Sequence, residues 1–281
     1  KIENNLPDKI STAMDTLYYN GTLYVSLEIK NNNCAKFKIY KAKFNLKFLN
    51  FEKFYENPKC LLQVYGGRMA VYNKGKKLLV SMSNDEKPPD IAFAEISSID
   101  LSTVETKTIS EGHRNPQGLL VTKDNIILQT EHGPKGGDEI NKIIEGENYG
   151  WPVASYGEKG GKDAYNAEYY YKKNHKKLGF IEPIYSFVPS IAISQIIYVE
   201  KKFASKWENN FLITTLRDRS IYRTIFDEDY TRVISMEKIY IGKRIRDISY
   251  NLEKNIFILA LENNNGNLVF LWVNNYLVDI I

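Results

Sequence analysis

A short apolar phrase recurs along the chain, and its spacing leaves few folds open. It reads GTLYVSL from Gly21 to Leu27, KKLLVSM from Lys76 to Met82, NIILQT from Asn125 to Thr130, NFLITT from Asn210 to Thr215 and NIFILA from Asn255 to Ala260. Each is a short strand phrase, set off from the next by turns. Most of the intervals are roughly 45 to 55 residues, the length of one four-stranded propeller blade. One interval is much longer. It holds the stretch from Trp151 to Pro189, rich in Gly, Tyr and Lys, which reads as an excursion from a blade. No stretch of helical period competes. The expectation is an all-β chain, one β-propeller domain over residues 1–281 with a loop excursion at about 151–189.

Composition agrees. The 281 residues can bury a sizeable core, and twenty Tyr favour pleated sheet. The 38 basic and 34 acidic side chains leave a formal charge of +4, and the Lys residues are spread between strands as edge guards, so no nucleic-acid partner is expected. No run of 18 apolar residues exists, so no membrane span is expected. Cys34 and Cys60 cannot form a metal site alone. Pairing in an oxidising compartment and two buried thiols both stay open. The chain opens on Lys1, which suggests a processed or truncated product.

Chemistry concentrates between Gly112 and Pro152. Arg114, Asn115 and Gln117 crowd one loop with donors suited to a planar polyanion, since Arg offers a rigid fork to carboxylates and Asn or Gln read carbonyl edges. After a strand at Ile126 to Leu128, Gly133-Pro134 and Gly136-Gly137 reverse the chain and can present carbonyl oxygens to a hard cation. Asn148-Tyr149-Gly150-Trp151-Pro152 then forms an aromatic corner, in which Trp151 lines a pocket or seals the loop. In a propeller, loops from different blades converge at one end of the channel, so Arg114, Gly133, Arg217 and Arg244 need no proximity in sequence.

These blocks resemble the soluble quinoprotein glucose/sorbosone dehydrogenases, the aldose sugar dehydrogenases. HRNPQG, EHGP followed by GGDEIN, and NYGWP stand in that family's order. YGGRMAVYNKGKKLLVSMS precedes them, and PSIAIS, FASKWENNFLITTLRDRSIYR and GKRIRDI follow. The likeness covers most of the chain from about residue 60. It implies a six-bladed propeller, here lacking or altering its first blade. It implies pyrroloquinoline quinone (PQQ) held by Arg114, Asn115, Gln117, His132, Arg217, Arg244 and Arg246, with a Lys often at the Arg217 position. Arg244 and Arg246 alternate along GKRIRD, so a strand turns both to one side and Ile245 to the other. The likeness further implies calcium on the backbone carbonyls of Gly133 and Pro134, while Asp138 and Glu139 brace the loop. The implied reaction is hydride transfer from a sugar or polyol carbon to the quinone, with Arg114 orienting substrate and cofactor and a separate electron acceptor. A periplasmic or secreted location follows from the same likeness.

The family's catalytic His precedes the GGR sequence, where this chain has Val64, which cannot accept a proton. Ser83-Asn84 stands where a Gly-Asp pair is common. Of the other histidines, His113 reads as a hydrogen-bonding loop residue, His132 as a neutral partner of the cofactor, and His175 as solvated among lysines. Trp207 and Trp272 read as packing residues, and Tyr169-Tyr170-Tyr171 as a sugar-stacking surface or a partner contact. A non-catalytic propeller module derived from the same family is the alternative reading. A metal-assisted hydrolase of lactonase type fits less, because it wants a ring of carboxylate and Asn ligands.

Overall fold

A computed structural model describes residues 2–31, 34–61, 63–83, 94–158, 173–263, 266–274 and 277–280. Asn84 and the Tyr169-Tyr170-Tyr171 run lie outside the described residues, as does the side chain of Trp272. Strand β1 (Glu3–Asn4) precedes a first blade of β2 (Thr12–Tyr19), β3 (Thr22–Asn31), β4 (Cys34–Lys43) and β6 (Glu52–Glu56); β5 (Phe48–Leu49) pairs in parallel with β1. The second blade is β7 (Tyr65–Tyr72), β8 (Lys77–Ser83), β9 (Ala94–Asp100) and β10 (Thr106–Glu111). The third is β11 (Pro116–Val121), β12 (Ile127–Glu131), β13 (Asp138–Ile143) and β14 (Tyr185–Phe187). The fourth is β15 (Ile193–Tyr198), β16 (Phe211–Thr215), β17 (Ser220–Phe226) and β18 (Val233–Tyr240). The fifth is β19 (Ile245–Asn251), β20 (Ile256–Leu261), β21 (Leu268–Asn274) and β22 (Leu277–Ile280).

Every blade is an antiparallel meander, and the five recurrent phrases lie on the second strands β3, β8, β12, β16 and β20. A second strand has sheet on either edge and, in the second, third and fourth blades, a blade core on either face, so both alternate positions are buried whether apolar, as Leu128, or polar, as Gln129 and Thr130. In the first blade the N-terminal residues Ile2, Leu6 and Ile10 pack against the other face of β3, and β20 of the fifth alternates buried with half-buried positions. Strands β12 and β16 are buried along their full length, whereas β18, outermost in its blade, is largely exposed. Neighbouring side chains of one strand serve opposite interfaces. Leu78 packs with Phe37 between the first two blades while Leu79 packs with Leu119 between the second and third. Likewise Leu212 joins the core with Phe257, and Ile213 the core with Leu128.

The described residues form five four-stranded blades rather than the six implied by the family likeness. The phrase count and the blade count agree, because each phrase is one second strand. The third and fourth strands of the third blade, β13 and β14, are separated by residues 144–184, of which 144–158 and 173–184 are described. Arg68 of β7 ties the ring together. Its Nη1 reaches Asp15 of β2 at 3.4 Å and Asp247 of β19 at 3.0 Å, and its Nη2 donates to the Arg246 carbonyl at 3.2 Å. Cys34 and Cys60 are disulfide-bonded, with Cα atoms 5.1 Å apart. Among the described residues no helix is long and apolar enough to cross a membrane.

Candidate functional site

In each meander the first strand begins, and the second ends, at the same end of the blade. Val64, Arg114, Asn115, His132, Gly133, Arg217, Arg244 and Glu262 all sit beside such strand ends, so blade topology brings them to one mouth.

Arg114 lies just before β11 and is held from several sides. Its backbone N–H donates to Glu131 Oε2 at 2.8 Å, and its carbonyl, with that of His113, accepts from the Ser83 hydroxyl. Its guanidinium donates from Nη1 to the carbonyls of His132 (3.2 Å) and Gly133 (3.0 Å) and lies 5.2 Å over the Trp151 ring. Trp151 therefore walls the site, where the sequence left two roles open. The turn that offers those carbonyls is folded tightly on itself. A Cβ on Gly133 would stand 2.1 Å from the Gly136 carbonyl oxygen, so only glycine fits there. Asp138 braces the turn: Oδ1 accepts from Gly133 N–H at 3.1 Å, and Oδ2 from the Ser190 hydroxyl (2.7 Å) and the Ile191 and Ile193 N–H groups.

Across the mouth, Arg246 Nη1 donates to Gln117 Oε1 at 2.8 Å, and Gln117 Nε2 donates to Asn115 Oδ1 at 2.7 Å. Arg244 and Arg246 do face one side, since both bind the carboxylate of Glu262 just after β20, while Ile245 between them is fully buried in the blade. Arg217 is exposed in the turn after β16 and makes none of these contacts. His132 lies beside the Gly133 turn and is favoured in its neutral form. Burial pushes its pKa down, opposed by Asp138 and reinforced by Arg246 and Arg114, and its buried Nε2 has no hydrogen-bond partner among the described residues.

Behind the mouth lies a polar cluster that sequence reasoning missed. The turn from Gly133 to Gly137 sets Glu131 of β12 directly opposite Glu139 of β13. Asn141 Nδ2 lies 3.0 Å from Glu131 and 3.4 Å from Glu139. Glu139 therefore does not brace the turn as Asp138 does. Burial and the neighbouring Glu131 charge raise its pKa well above the usual range, which favours the protonated form. Burial also works against the Glu131 charge, but His113 and the Arg114 N–H outweigh it and hold that carboxyl low. His113 is fully buried, bonded to Ser110 at 2.9 Å and stacked on Tyr149. A cavity of about 10 Å³ between Arg114, Glu131, Glu139 and Trp151 has room for one water molecule.

His175 corrects an expectation. It is 1% exposed rather than solvated, because the short helical turn at Lys176–Leu178 carries its lysines outward and folds the ring inward. There it lies against Tyr156, 3.7 Å from Glu182 and 3.9 Å from Glu139. Trp207 packs on Phe203 under the Arg223 guanidinium, as a packing residue. Val64, at the family's base position, is buried, and its N–H donates to the buried carboxylate of Glu28 at 2.7 Å. Among the described residues no three His, Cys, Asp or Glu side chains converge as a metal site, so a cation at the mouth would depend on backbone and ligand oxygens.

Residues 97–270 match the family described as Glucose / Sorbosone dehydrogenase. The aldose sugar dehydrogenase YliI of Escherichia coli (strain K12) is 25% identical over 219 residues, 71% of this chain and 58% of that protein. Quinoprotein glucose dehydrogenase B of Acinetobacter calcoaceticus is 28% identical over 204 residues, 56% of this chain and 42% of that protein. The chain thus spans about half the length of these two relatives. The PQQ-bound aldose sugar dehydrogenase of Streptomyces coelicolor superposes with a TM-score of 0.66 at 17% identity, over 97% of this chain and 81% of that one, a likeness of fold alone. With the family match covering more than half of the chain, the protein belongs to the glucose/sorbosone dehydrogenase family.

Proposed function

We propose that this protein binds PQQ and calcium at the channel mouth and acts as an oxidoreductase on a CH–OH group of a sugar or related polyol. The observation that carries the reading is the convergence of Arg114 and Arg246, from different blades, on polar groups of the same loop pair. A bound trianion requires cations, since an unpaired buried charge is costly. Arg246, Arg244, Arg114 and the exposed Arg217 supply them. Gln117 and Asn115 orient the ligand's oxygens, and His132 Nε2, which has no partner among the described residues, offers it a further hydrogen bond.

The donor chemistry also suits a hard cation. Gly133 and Pro134 would hold it through their carbonyls; the Gly133 oxygen accepts from Arg114, and a carbonyl oxygen has a second lone pair. When bound, PQQ supplies a hydride acceptor for the substrate carbon. The chain's own part is to bind and orient. Arg114, against Trp151 and the carbonyls of the turn, is placed to hold a substrate oxygen and the cofactor together. The disulfide supports a periplasmic or secreted location.

One observation favours the second reading, a binding module without turnover. The hydroxyl proton needs an acceptor, and Val64 provides none. A single pair of experiments separates the readings. PQQ with calcium is titrated into the protein by absorbance and melting temperature, and aldoses are then supplied with a dye acceptor to the wild type and to Val64→His. Binding with turnover in the wild type supports the enzyme, and turnover only in Val64→His supports the module. Absence of any PQQ response at micromolar concentration removes both forms of the proposal.

A further inference from the structure

Glu262 already stands where a ligand carboxylate would be expected. It follows β20, and its own N–H is bonded to the Arg244 carbonyl at 2.9 Å. That bond lies beside the Ile245–Leu261 pair, where the ladder shifts register between Ile245 and Asp247. The shift brings two guanidinium groups onto one carboxylate: Arg244 Nε donates to Oε1 at 3.1 Å and Arg246 Nη2 to Oε2. The other arm of Arg246 reaches Gln117, which leads to Asn115. Every donor that the proposed function assigns to an incoming carboxylate on this side of the mouth is therefore already directed at, or linked to, an internal one.

Two arginine clusters of the channel can be compared. Arg68 is 4% exposed and one of its carboxylates, Asp15, is 6% exposed, so that ion pair is sealed into the blade junction. Arg244, Arg246 and Glu262 are 43%, 41% and 35% exposed. Water reaches all three, so the pairing is weak and exchangeable. A second anion can replace Glu262 without stranding it, because the freed carboxylate turns into solvent.

We propose that Glu262 is a resident counter-ion in the anion seat between Arg244 and Arg246, and that a carboxylate-bearing ligand enters by displacing it. This rests on the proposed function only in that the ligand carries carboxylates. Displacement makes Glu262 a specificity residue. A single carboxylate exchanges one ion pair for another and gains little. A rigid polycarboxylate gains further contacts at Arg114 and Gln117 and wins. Without Glu262 the seat carries two unopposed guanidinium groups and accepts small anions less selectively.

The test compares wild type, Glu262→Gln and Glu262→Gln combined with Arg246→Gln, using calorimetric titration with PQQ and with benzene-1,3,5-tricarboxylate, which lacks the quinone. Circular dichroism and melting temperature check that each variant is folded; Glu262 is exposed enough that Gln is tolerated. Glu262→Gln is expected to bind both probes about fivefold to tenfold tighter, and the double variant to lose that gain. Equal or weaker binding by Glu262→Gln overturns the proposal, since a carboxylate that only props the arginines would be missed by the ligand. Tighter tricarboxylate binding with no response to PQQ keeps the resident counter-ion and removes the quinone reading. Binding of neither probe by any variant shows that the arginine pair is no ligand seat, which overturns the proposal.

Discussion

The Nη1 of Arg246 lies 2.8 Å from the Oε1 of Gln117, joining the fifth blade to the third across 129 positions of sequence. The two first strands, β11 and β19, flank β15 of the fourth blade, and their starting ends lie at the same mouth, so the two long side chains meet across it. The contact is half-exposed, so it stabilises the fold little and is available to a ligand. Replacing Gln117 by Ala is expected to weaken PQQ binding about tenfold, from the loss of one orienting amide to a charged partner. The melting temperature stays near that of the wild type. An absorbance titration beside a thermal scan checks both halves; an unchanged affinity would place the ligand elsewhere.

Gly133→Ala tests the turn. The added Cβ would stand 2.1 Å from the Gly136 oxygen and 2.3 Å from the Gly137 oxygen, both backbone atoms with no flexible end to move. A loss of roughly 2–3 kcal/mol is expected from the forced backbone shift. Urea denaturation reads it as a lower midpoint at unchanged slope. A midpoint equal to that of the wild type would show that the turn is less tightly closed than described.

The cross-strand acids Glu131 and Glu139 are expected to respond differently to the same change. Burial and the Glu131 charge favour the neutral form of Glu139, so Glu139→Gln, which places a neutral group there, is expected to change stability by less than about 1 kcal/mol. Glu131 is held as a carboxylate that accepts the Arg114 N–H, so Glu131→Gln costs about 2–3 kcal/mol. Because the folded pKa of Glu139 is raised, its contribution to stability is full below 4.5 and lost as the pH rises. Glu139→Gln therefore also removes that slope. Equal losses in both variants would contradict the assigned protonation.

Asp15 sets a second pH dependence. Burial pushes its pKa from 3.8 up to about 6, with Asp247 adding to the rise and Arg68 opposing it. Between those values the folded chain binds a proton that the unfolded chain releases, so stability falls as the pH rises from 3.8 to about 6. The fall is on the order of 2 kcal/mol. Denaturation midpoints across this range should show it, and Asp15→Asn should flatten it. A steep decline that survives in Asp15→Asn would assign the proton to another group.

Reduction of the Cys34–Cys60 bond completes the set. It closes a loop across a sequence separation of 26 residues at the mouth end of the first blade. Its loss is expected to cost about 3 kcal/mol, chiefly by freeing the unfolded chain. Melting with and without dithiothreitol measures this, and identical curves would show that the bond adds nothing.

Strand phrases such as NIILQT and NFLITT were legible because each opens from a turn on a run of apolar residues that a strand with sheet on either edge buries, and that pattern is local. The motif loops were legible for a related reason. Gly133 must be glycine wherever such a turn closes, and Arg114 and Gln117 stand out as planar donors crowded into one loop. Contacts made by ring closure leave no such mark. The seating of Arg68 between Asp15 and Asp247, the inward turn of His175 and the capture of Arg244 and Arg246 by Glu262 each depend on where a distant segment arrives. Periodicity along one strand records which faces are buried, but not which side chain of another blade will stand opposite, because that is set by the summed twist and packing of every blade between them.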